Sequence, residues 1–70
     1  MMPFAERLAM AERHVKNGRA VIERQRQLVS LQTARGRHTA SSQHLLEQFE
    51  RSQAIFEQDL AWLKAEGSSA

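Results

Sequence analysis

The stretch Ala34-Arg35-Gly36-Arg37-His38-Thr39-Ala40 decides the fold. Gly36 is a natural helix stop, because glycine enters the left-handed conformation just past a helix end at no steric cost. Arg35 precedes it and places a cation near the negative end of the helix dipole. Thr39 is the best N-cap for a second helix, with Ser41 and Ser42 as competing starts. A connection of about four residues leaves no room for a crossover, so the flanking helices must be antiparallel neighbours.

Toward the N-terminus, Pro3 suits a first helical turn, where its missing N–H costs nothing. Glu6 places a carboxylate near the positive end of the dipole. The spacing predicts helix 1 over about 4–35, a turn over 36–38, helix 2 over about 40–66 and a frayed tail over 67–70. At 1.5 Å per residue the helices would be about 48 and 40 Å long. Asn17-Gly18 is the weak point, since glycine costs about 1 kcal/mol inside a helix and Asn-Gly is a common turn dipeptide. Leu8, Val15, Ile22 and Val29 nevertheless recur every seven residues across it. A single continuous helix is expected.

At 100° per residue, Phe4, Leu8, Ala11, Val15, Gly18, Ile22 and Val29 form one stripe of helix 1. Leu45, Leu46, Phe49, Phe56, Leu60 and Leu63 form its counterpart on helix 2. Gly18, within the first stripe, offers a place for close approach, and Gln25 and Gln53 fall at the stripe edges. Residues 4–35 carry seven basic and three acidic side chains, and residues 39–66 carry two basic and five acidic. Opposite charge on the two halves favours their pairing, although exposed pairs contribute only about 0–1 kcal/mol each.

A second apolar set is left over. Met10, Val21 and Leu28 lie roughly 100–120° to one side of the first stripe, and Ile55 and Trp62 are similarly offset on helix 2. Two helices cannot cover both sets on each other. A chain of 70 residues buries little surface and needs a disulfide, a metal or a partner. There is no cysteine. His14, His38 and His44 lack ligand spacing. The expected fold is therefore an all-α antiparallel hairpin that dimerises into a four-helix bundle, with Met10, Val21, Leu28, Ile55 and Trp62 as its association face. Another helical protein could use the same face.

The chemistry-bearing residues point away from catalysis. There is no phosphate-cradling glycine loop. Ser41 and Ser42 are explained by capping, and Glu47 and Glu50 lack the Glu-x-x-His partner of a di-metal bundle. No cofactor and no metal are expected, and the chain reads as non-enzymatic, a small regulator or adaptor. The main alternative is nucleic-acid binding through helix 1, which with the turn carries Arg13, Lys16, Arg19, Arg24, Arg26, Arg35 and Arg37 in a chain of pI near 9.9. Arg24 and Arg26 are also candidates for contacting an acidic partner. Without a 20-residue apolar run or a signal peptide, no membrane span is expected and the cytoplasm is the default location.

Arg13-His14-Val15, Gly18, Ile22, Arg24-Gln25-Arg26 and Leu28-Val29, followed by Gly36, Thr39, Leu45-Leu46 and Phe49-Glu50, carry a resemblance. Over roughly residues 11–60 the chain resembles a small family of uncharacterised proteins common in alphaproteobacteria such as rhizobia. Ala40-Ser41-Ser42 stands where those chains have an acidic or polar start to helix 2, and Val21 where a polar residue or histidine is common. The resemblance implies a bacterial origin and a helical hairpin. It implies no activity.

Overall fold

A computed structural model describes residues 2–68. It contains two helices, α1 (Phe4–Ala34) and α2 (Ala40–Ser68), packed against each other as an antiparallel hairpin 54 × 20 × 14 Å in extent. The class is thus an all-helical hairpin one helix thick. Helix α1 runs through Asn17-Gly18 without a break. Pro3 stands just outside the helix, and its carbonyl accepts the amides of Glu6 and Arg7 at 3.1 and 3.0 Å.

The turn follows from its glycine. Gly36 has φ +68°. Its N–H donates to Thr33 O at 3.0 Å, and the Arg37 N–H donates to Gln32 O at 2.9 Å. This is the Schellman pattern, which satisfies carbonyls that the last turn would otherwise leave open. Alanine at position 36 would force a Cβ into left-handed space. Gly36→Ala should therefore cost about 1–2 kcal/mol, read as a lower urea midpoint with an unchanged slope.

Thr39 begins α2. Its carbonyl accepts the Gln43 N–H at 2.8 Å, and its hydroxyl accepts from Gln43 Nε2 at 2.8 Å. Ser41 and Ser42 lie inside the helix and do not cap it. The Ser42 hydroxyl instead donates across the hairpin to Gln32 Oε1 at 2.6 Å. At the other end α2 extends to Ser68, two residues past the expected Glu66. Gly67 lies within the last turn of α2, with the Phe4 ring against it. Ser69 and Ala70, the rest of the expected tail, fall outside the described residues.

The core is thin. Among the described residues only Ala11, Val15 and Ile22 are buried apolar side chains, and none is fully enclosed. The other two buried residues are Gln25 and Gln53, which the sequence placed at the stripe edges. They lie inside because each finds a main-chain acceptor on the opposite helix. Gln25 Nε2 donates to Ser42 O and Gln53 Nε2 to Val15 O, both at 2.9 Å. A buried amide is tolerable only when it is hydrogen-bonded. Gly18 makes room for the second bond, since a Cβ there would collide with Gln53 Oε1. What approaches Gly18 closely is a side chain of α2. Oε1 itself is buried with no hydrogen-bond partner; it rests over the Gly18 Cα, where a weak C–H···O contact is the available compensation.

Among the described residues, three ion pairs join the basic helix to the acidic one: Arg7–Glu66, Arg19–Glu57 and Arg26–Glu50, each at 3.4 Å. The last two are one heptad apart on both helices. All are exposed, so they select register more than they add stability.

Candidate association face

The two broad sides of the hairpin differ in chemistry. On one side, Val15, Arg19, Glu57, Leu60, Ala61 and Lys64 line a shallow hollow, and Arg13 and Lys16 join Arg19 and Lys64 around its neighbour. His14 precedes Lys16 by two residues, or 200° of helix, and so belongs to the opposite side. There His14, Val21, Phe49 and Phe56 line an almost wholly apolar hollow of about 340 Å³, with Gly18 and Gln53 between them. The His14 and Phe56 rings are 5.1 Å apart and tilted by 39°. Nearer the open end, Met10, Trp62 and Leu63 line a second hollow with His14 and Asp59. The Arg7–Glu66 pair closes its rim.

This side gathers most of the second apolar set. Met10 and Val21 are half-buried, and Leu28 is exposed on the same flank of α1, one heptad beyond Val21. Trp62 is 66% exposed although it borders the Met10 hollow. Ile55, 59% exposed, lies one heptad away on the same outer flank of α2 and borders neither hollow. Leu45 corrects the sequence reading. The spacing places it in the stripe facing α1, yet it is exposed, unlike Leu63 five full turns further along the same line. It joins Leu28 at the turn end of the apolar side. Phe49 and Phe56, which the spacing places in the hairpin core, are only half-buried there and leave an edge in the open hollow.

Of the candidate acidic-partner contacts, Arg26 is engaged by Glu50 of its own chain, whereas Arg24 is exposed on the outer flank of α1. Among the described residues no group of three or more histidine, aspartate or glutamate side chains is placed to hold a metal ion. No helix there is long and apolar enough to cross a membrane.

No protein-family model, no curated protein and no solved structure matches this chain. The resemblance noted in the sequence therefore rests on its residues alone.

Proposed function

We propose that this chain is a non-enzymatic protein-interaction module, a small regulator or adaptor, that pairs with a second copy of itself through the apolar side of the hairpin. The observation that carries this reading is surface left uncovered. The chain exposes 5461 Å², about 1,000 Å² more than the roughly 4,450 Å² expected of a compact protein of its mass. A standard interface takes about 800 Å² from each partner. One broad side of a hairpin 54 Å long and 20 Å wide supplies that area, and it is the side with Trp62, Met10, Val21 and the open Phe49–Phe56 hollow. Packing two such sides together makes a four-helix bundle with a continuous core.

A second reading, nucleic-acid binding, is favoured by one feature of the other side. Lys64 of α2 joins Arg13 and Lys16 there, so the cations are not confined to α1. Arg19, the fourth cation, is already paired with Glu57. One measurement separates the readings. Sedimentation equilibrium over a wide concentration range should give twice the 8.0 kDa chain mass at the upper end. A folded monomer throughout would end the self-pairing proposal. If random duplex DNA then shifted the sedimentation, and added salt reversed the shift, nucleic-acid binding would take its place.

A further inference from the structure

Residues of the two helices stand at matched heights along the hairpin. Met10 and Trp62 border one hollow, as do His14 and Asp59; Val21 and Ser52 border the next. One heptad along from Met10 and back from Trp62 come Asn17 and Ile55, at equal height by the antiparallel geometry. Leu28 and Leu45 stand at matched height near the turn by the same step.

Two apolar sides can be stacked about a two-fold axis in two simple ways. An axis running across the helices lays α1 on the partner's α1 and α2 on the partner's α2. An axis running parallel to the helices lays α1 on the partner's α2 and keeps every residue at its own height. Charge separates them. Residues 4–35 carry a net +4 and residues 39–66 a net −3, from seven basic against three acidic and two against five. The first arrangement sets like charge along like charge; the second surrounds each basic helix with two acidic ones.

We infer that the two copies pair about an axis parallel to the helices, with α1 of each chain lying along α2 of the other. This rests on the self-pairing reading and adds its geometry. Met10 then meets the partner's Trp62, a thioether against an aromatic ring. Leu28 meets the partner's Leu45, and Asn17 lies beside the partner's Ile55. His14, which shares its hollow with Asp59 of its own chain, also faces the partner's Asp59 at the edge of the apolar contact. Ile55, which borders neither hollow of its own chain, is covered only from the partner's side.

The absence of cysteine from the chain makes the test direct. Asn17 and Ile55 are both exposed in the hairpin, so a cysteine at either replaces no buried side chain. Asn17 stands near the middle of α1. An axis across the helices would therefore bring Asn17 close to its own counterpart. Under mild oxidation, an equimolar mixture of Asn17→Cys and Ile55→Cys chains should form the mixed disulfide at least tenfold faster than Asn17→Cys chains alone form theirs. Fast cross-linking of Asn17→Cys with itself, in a sample that sediments as a dimer, would overturn this geometry while leaving self-pairing in place. Equally slow cross-linking in both samples, again in a dimer, would overturn it too. Monomeric wild-type protein in the same buffer would instead remove the self-pairing on which the geometry rests.

Discussion

Trp62→Ala should raise the dissociation constant of the dimer by about two to four orders of magnitude. Burying one large apolar side chain is worth about 1.5–3 kcal/mol. A two-fold interface loses the residue twice, which makes about 3–6 kcal/mol at a tenfold change per 1.4 kcal/mol. The effect belongs to association because Trp62 is 66% exposed in the single hairpin and contributes little to its folding. Phe49→Ala gives the contrasting pattern. Phe49 is half-buried in the hairpin and also borders the open hollow, so its loss should weaken folding and pairing together. Sedimentation and urea denaturation of the two variants separate these quantities. A Trp62→Ala protein that dimerises as tightly as wild type would show that the indole does not belong to the contact.

Gly18→Ala should change sign with its background. In a helix interior, alanine gains about 1 kcal/mol over glycine. At position 18, however, the new Cβ would occupy the place of Gln53 Oε1. The Gln53 side chain would have to swing out and give up its bond to Val15 O, and its burial would be lost with it. A net intramolecular hydrogen bond is worth about 0.5–1.5 kcal/mol, and leaving the carbonyl side of a buried pair poorly served costs more. Gly18→Ala alone should therefore destabilise by about 1 kcal/mol, the lost bond and burial outweighing the propensity gain. In a Gln53→Ala background the obstruction is gone, and the same substitution should stabilise by about 1 kcal/mol. The coupling of about 2 kcal/mol lies within the range of residues in direct contact. Additive effects in thermal or urea unfolding would mean that Gly18 and Gln53 do not depend on each other.

The two glutamines also show where reading residues in order falls short. Gln25 and Gln53 follow the buried line of their helices, and a polar side chain on that line is naturally assigned to its margin. Whether it can enter depends on a main-chain carbonyl of the other helix lying within reach, as Ser42 O and Val15 O do. That is a property of the pair of helices. Ser42 makes the same point, since capping preference alone would have it bond to its own helix, whereas Gln32 across the hairpin is the partner it finds. Leu45 is the converse, an apolar residue of the facing stripe left outside.

The chain's order of residues by itself determined the two helices, their ends at Pro3, Gly36 and Thr39, their antiparallel course and the surplus of apolar residues beyond the facing stripes. These are local matters of dihedral preference, capping and 3.6-residue periodicity. Only the packed hairpin decided that glutamines would fill its centre, that Gly18 would receive a side chain, and that the surplus residues would gather mainly on one side with the ion pairs Arg19–Glu57 and Arg26–Glu50 on the other. The reason is physical: which groups meet across two helices depends on their relative height and rotation, and those are set where the helices touch.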